Sequence, residues 1–328
     1  MKTAIRAIFS LLVLSAALSA VEPALTPEAK AAYERAHNEY GQAKFKDAAH
    51  DYGESVRMAP NCQLCLQGLA LSNAQLGFEK ESLKTADKAL ALAVDPMDKV
   101  AAHNCKGEIC LMYSSADPKK LLAAENEFRT SLSLVPASAN TEFRLGYTLL
   151  REKKDDEGKQ QLQAFLNANP GAPETEMAKR LIANPRRARE LYAPDFAFTT
   201  AQGETINNAS LEGKVVVLDF WATWCGPCRE SLPEIKELTK KYGDRLRVIS
   251  VSADNDAKAW RDFIADKHMD WGQYLDSDDK IQHAFNVHAY PTYIVMNREG
   301  IVVKRMEGID PQESLIHRLR DELKKILD

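Results

Sequence analysis

The sequence predicts an α + α/β chain: an N-terminal all-α solenoid of helical repeats, followed by a three-layer α/β/α domain. Three observations lead there. Between residues 27 and 170, apolar phrases closed by proline recur at regular intervals. The run Val215-Val216-Val217-Leu218-Asp219-Phe220 reads as a central strand buried on both faces. From that run onward, helical and strand patterns alternate. At 328 residues the chain is long enough for two independent cores.

Residues 1–20 differ in kind from the rest of the chain. Lys2 and Arg6 give a positive start, Ala7 to Leu14 and Ala16 to Leu18 are apolar, and small residues run to Ala20 before Val21-Glu22. This is the pattern of a cleaved secretory signal, and its apolar run is shorter than the roughly 20 residues that cross a bilayer. An exported protein is expected, periplasmic in a cell with two membranes, with no stable membrane insertion after signal cleavage. The formal charge of −4 gives no basic surplus, so no nucleic acid is expected as a partner.

The repeats are marked by Ala48 and Tyr52 before Pro60, Ala86 and Ala89 before Pro96, Phe128 and Leu132 before Pro136, and Leu162 and Phe165 before Pro170. The closing prolines are 36, 40 and 34 residues apart, and small residues such as Gly107 and Gly146 stand in the first-helix phrases. Together these resemble the tetratricopeptide family, in four degenerate copies with an insertion around Ser114 to Lys119. The resemblance implies residues 27–170 as a solenoid that offers a surface to a protein partner. Pro185, among Arg180, Arg186, Arg187 and Arg189, marks a joint, so residues 171–192 are expected to be a linker.

The last domain is expected over residues 193–328. It opens with Phe196-Ala197-Phe198 and a turn at Gln202-Gly203. After the Val215–Phe220 strand come a helix over 229–242, a strand over 245–252, a helix over 257–267, strands over 292–296 and 301–306, and a helix over 311–327.

Several phrases here carry chemistry. Phe220-Trp221-Ala222-Thr223-Trp224-Cys225-Gly226-Pro227-Cys228 joins a strand to a helix. Asp219 lies six residues before Cys225, Pro233 five after Cys228, and Tyr290-Pro291-Thr292 comes later. These features strongly resemble the thioredoxin superfamily. Ala193-Pro194-Asp195-Phe196 and Arg229-Glu230-Ser231-Leu232-Pro233 resemble its TlpA-like or ResA-like envelope branch.

The resemblance implies a thiol–disulfide oxidoreductase with a redox disulfide between Cys225 and Cys228. Its partners would be a disulfide-bearing client protein and an upstream thiol electron donor. A cysteine at a helix N-terminus is favoured as thiolate, the form that attacks a disulfide. Cys228, one turn on, would then resolve the mixed disulfide. By the same resemblance Asp219 takes the Cys228 proton, Pro291 is cis, and Trp224, Gly226, Pro227, Tyr290 and Thr292 contact the client. Two departures stand out. The strand Arg247-Val248-Ile249-Ser250-Val251-Ser252 lacks the lysine that thioredoxins set beside the buried acid, and Ser231 stands where the envelope branch often has a glutamate.

Cys62-Gln63-Leu64-Cys65 comes directly after Pro60-Asn61 and opens a helix, so these two cysteines can form a structural disulfide. Cys105 and Cys110 point to different faces of one helix and should not pair. A zinc site of the four thiols is the alternative, less suited to an oxidising compartment. The seven histidines show no metal-ligand spacing, and no Cys-X-X-Cys-His phrase occurs, so neither a metal nor a cofactor is expected. Two rival functions remain. A thiol peroxidase of this superfamily would have threonine where Ala222 stands. The other is a repeat-based binding protein with an accessory redox domain.

Overall fold

The computed structural model describes residues 25–136, 138–308 and 314–328. The expected signal, residues 1–20, lies outside them. The chain divides into two compact units, one ending at Arg189 and the other running from Glu190 to Asp328.

The first unit is a stack of helical hairpins. Helix α1 (Pro27–Gly41) pairs with α2 (Phe45–Met58), α3 (Gln63–Gln75) with α4 (Glu79–Leu92), α5 (Pro96–Tyr113) with α6 (Lys119–Leu134), and α7 (Ala139–Arg151) with α8 (Asp155–Ala168). Local chemistry sets the starts. Thr26 and Asp95 cap α1 and α5 with side-chain oxygens, each followed by proline in the first turn. Pro60 and Pro136 fall in the turns between hairpins, and Pro170 in the turn after the last one. The insertion around Ser114 is the connection between α5 and α6.

Glycine decides how closely the helices approach. A β-carbon on Gly68 would come within 2.4 Å of the Tyr52 ring, and one on Gly107 within 2.5 Å of the Phe128 ring. Each ring fills the space that a side chain would need. Cys62 caps α3, is disulfide-bonded to Cys65 with α-carbons 5.3 Å apart, and lies in the core of the first two hairpins. Cys105 and Cys110 are free and buried.

The segment expected as a linker belongs, as far as Arg189, to this helical unit. Helix α9 (Thr175–Ala183) packs on α8 with Ala178 and Leu181 buried, and a short 3-10 turn, Pro185–Ala188, packs on α7. The Arg189 guanidinium donates to the Leu150 carbonyl (2.6 Å) and to both Asp155 carboxylate oxygens (2.6 and 2.9 Å). The arginine and proline that read as a joint therefore close the apolar end of the last hairpin, which a solenoid must cover.

The second unit begins three residues before the expected 193. Val302 N–H donates to Leu191 O, Tyr192 bridges Ile301, and Ala193 N–H donates to Gly300 O. A hairpin of β1 (Ala197–Thr199) and β2 (Thr205–Asn207) precedes a five-stranded sheet. The sheet is built from β3 (Val215–Trp221), β4 (Leu246–Ser252), β5 (Gly272–Leu275), β6 (Thr292–Met296) and β7 (Val302–Glu307), in the order β5-β4-β3-β6-β7. β3 is the central strand, parallel to β4 and antiparallel to β6, and all seven of its residues are buried.

Its alternation assigns the two faces. Val215 and Val217 pack with α10 (Gly226–Tyr242) and α13 (Leu315–Leu327). Trp221, of the same parity, packs against α11 (Ala257–Asp266) through Phe263. Val216, Leu218 and Phe220 face the β1–β2 hairpin and the residues around the short α12 (Lys280–Ala284). The architecture is three-layered, but among the described residues one outer layer holds three helices and the other one short helix with a hairpin. β5 is too short and too mixed in composition to stand out in the sequence.

Candidate active site

β3 ends at Trp221, and four residues later Cys225 caps α10, its Sγ accepting the Cys228 N–H at 3.3 Å. The two cysteines are disulfide-bonded, with α-carbons 5.3 Å apart, and both are largely buried. Gly226 is exposed and Pro227 half-buried beside them. The Trp224 ring stands 65% exposed and meets Tyr290 edge-on, with centroids 5.8 Å apart. Tyr290-Pro291 is a cis peptide with Pro291 buried. The structure therefore brings Trp224, Gly226, Pro227 and the Tyr290-Pro291 loop around one disulfide.

Thr292 does not join them. It is fully buried at the start of β6, flanked by Phe220 of β3 and Glu307 of β7, and its hydroxyl donates to Ala289 O at 2.7 Å. Its side chain closes the loop from inside, away from solvent. His288 is exposed, and its ring pairs with the Asn286 side chain.

Asp219 shares its face of β3 with Val217 and therefore looks toward α10, which carries Cys228. It is paired in register with Ser250 on β4 and Tyr293 on β6. The Ser250 hydroxyl lies 2.8 Å from Asp219 Oδ2, and Trp271 Nε1 lies 2.8 Å from the same hydroxyl. An indole N–H can only donate, so Ser250 accepts from Trp271 and its single proton is committed to Asp219. Burial pushes the Asp219 carboxyl up to about 7, while the Ser250 hydrogen bond pulls against that rise. Ser250, held by Trp271, thus supplies Asp219 with a neutral donor instead of a charge.

The other neighbours are accounted for. Tyr293 is buried and uncharged, its phenol pushed above the usual range by burial and by Asp219, and it is hydrogen-bonded to Ser231. The Ser231 hydroxyl also donates to Pro227 O at 3.0 Å, so the serine in the glutamate's place ties the first turn of α10 together.

Two polar supports carry no flag in the sequence reading. Asp254, buried just after β4, accepts from Thr223 N–H (3.0 Å), the Thr223 hydroxyl (2.6 Å) and the Ser252 hydroxyl (2.6 Å), anchoring the loop that delivers Cys225. Gln282 accepts the Tyr290 hydroxyl and donates its amide to Asp276 and Asp279 (3.2 and 3.0 Å), fixing the tyrosine opposite Trp224. The available signal for Asp254 is its place after an apolar strand, as for Asp219. Nothing local distinguishes Gln282. Among the described residues, no group of three or more histidine, cysteine or acidic side chains is arranged to hold a metal ion.

Residues 189–323 match the Redoxin family. The chain is 36% identical over 113 residues to thioredoxin-like protein YneN of Bacillus subtilis, covering 34% of this chain and 66% of YneN. It is 32% identical over 124 residues to thiol-disulfide oxidoreductase ResA of Bacillus cereus, covering 38% of this chain and 72% of ResA. Among solved structures it is similar to the thioredoxin domain of a thiol-disulfide oxidoreductase from Bacteroides vulgatus. That likeness has 22% identity and a TM-score of 0.37, over 42% of this chain and 96% of the other.

Proposed function

Because the chain belongs to the ResA-like thiol-disulfide oxidoreductases of the thioredoxin superfamily, we propose that it is an exported reductase of protein disulfides whose working dithiol is Cys225 and Cys228. The observation that carries this reading is a disulfide at the N-terminus of α10, the helix that the buried Asp219 carboxyl faces.

In the reduced enzyme, Cys225 thiolate attacks one sulfur of the client disulfide. A Cys225–client bond forms, the client S–S bond breaks, and the other client sulfur leaves as thiolate and takes up a proton. Asp219 accepts the Cys228 proton. The Cys228 thiolate then attacks Cys225 Sγ, the second client sulfur leaves, and two electrons have passed to the client. The Cys225–Cys228 disulfide seen here is the oxidised product, and an upstream thiol donor returns it to the dithiol. Trp224, Gly226, Pro227 and Tyr290 border the path of an extended client segment.

The helical unit reads as a tetratricopeptide-type repeat platform that recruits a protein partner, and residues 1–20 as the export signal. Among the described residues no helix is long and apolar enough to cross a membrane. The test is turnover of a disulfide protein by the reduced enzyme. Cys225→Ser should abolish it, because no other thiol at the site can make the first attack. Cys228→Ser should also fail to turn over but should accumulate the Cys225–client mixed disulfide, and equal accumulation in Cys225→Ser would overturn the assignment of roles.

A further inference from the structure

A groove of about 720 Å³ opens beside Gly226, the residue next to Cys225, and runs between α10 and α11. Its apolar floor includes Leu232, Phe263 and Trp271, and its rim carries Arg229, Lys236 and Lys267 against a single carboxylate, Glu230. We propose that this groove docks an acidic stretch of the client close to the disulfide being reduced. The proposal rests on the reductase reading and gives that site its substrate class.

The charge argument is local. The chain as a whole is negative, at −4, so three cations against one acid in one groove do not follow from its composition. Arg229 and Lys236 have no ion-pair partner among the described residues, and Lys267 pairs only with its neighbour Asp266, at 2.8 Å. The Arg229 guanidinium and the Lys267 ammonium both lie 5.9 Å from the Phe263 ring centre, so the aromatic wall holds two of the charges at the rim. An acidic segment would meet two cations, Arg229 and Lys236, that are not already paired, and apolar side chains beside it would reach Phe263 and Leu232.

Geometry limits where the acids lie. Lys236 is eleven residues beyond Cys225, roughly 16 Å along the helix. An extended client covers that in about five residues. The acidic residues should therefore fall within about five positions of the client cysteine.

The test uses full-length mature protein, reduced, and two disulfide-bonded peptides. They differ only in Asp or Glu versus Asn or Gln placed two to five positions from one cysteine. Wild type should favour the acidic peptide roughly five-fold in kcat/KM at low salt, the scale expected of a few exposed charge pairs. The ratio should fall toward one at about 0.5 M salt. Both lysines are exposed, and the double variant Lys236→Glu/Lys267→Glu should reverse the preference. Lys236→Gln/Lys267→Gln should remove the preference without adding repulsion. A wild-type ratio of one, or a ratio unmoved by salt and by both variants, overturns the groove while leaving the reductase reading intact. Failure of wild type to reduce either peptide overturns the reductase reading, and the groove proposal with it.

Discussion

Asp219 gathers the chemistry of the site into one titration. Its carboxyl is held near 7 in the fold against an ordinary value of 3.8, so the folded state binds its proton more tightly than the unfolded chain. Below about 4 the group is protonated in both states and contributes no difference. As pH rises toward 7 the unfolded chain releases the proton first, and the native state loses stability. The full cost, about 4 kcal/mol, is present above 7. Asp219→Asn should therefore stabilise the protein in denaturant titrations at pH 8 and have little effect at pH 4, while slowing client release. Equal stabilisation at both pH values would contradict a buried titrating carboxyl. Ser250→Ala removes the donor that opposes the rise, and a hydrogen bond to a charged group contributes about 1.5–3 kcal/mol. The pH profile of client release should then move up by roughly one to two units. An unmoved profile would assign Ser250 to packing. Asp219 itself is legible in the sequence, because an acid inside an apolar strand needs an explanation. Its partners are not. Ser250 is set by strand register, and Trp271 reaches it from 21 residues away. The burial of Thr292 is not legible either, because adjacency to Pro291 says nothing about which side of the loop a side chain occupies.

Within the elements, the repeats depend on glycines that let rings seat against helices. Gly107→Ala would set a β-carbon 2.5 Å from the Phe128 ring, and overpacking of this kind costs about 1–3 kcal/mol. The loss should appear in the unfolding of the helical unit, and Phe128→Leu in the same chain should recover part of it. A neutral Gly107→Ala would show that the helices can move apart freely. The hairpin periods are legible because a closing proline and a small residue are local signals. The cap formed by α9 and Arg189 is not. A basic cluster around a proline reads as exposed joint unless its carboxylate partner is known, and Asp155 lies 34 residues earlier. β5 escapes notice for the related reason that an edge strand takes its identity from β4.

At the scale of the molecule, the proposed division of labour makes a kinetic prediction. A redox face that reads a few backbone groups discriminates poorly, whereas a helical repeat surface can hold one partner. Tethering would raise the effective concentration of a docked client at Cys225. The fragment to compare with the mature chain begins at Glu190, since a start at 193 would discard the Leu191 and Tyr192 contacts to the β6–β7 turn. The fragment should show a raised KM for a natural client and an unchanged rate on a small disulfide. A drop by the same factor on both would make the repeats a support for the catalytic unit.

The roles of the two cysteines are tested most directly by trapping. Cys228→Ala, mixed with a disulfide client and resolved without reductant, should accumulate a covalent complex. Peptide mapping should place the bond on Cys225, and Cys225→Ser should yield none. A complex that forms through Cys228 in the Cys225→Ser protein, or no complex from Cys228→Ala despite turnover by wild type, would contradict the account.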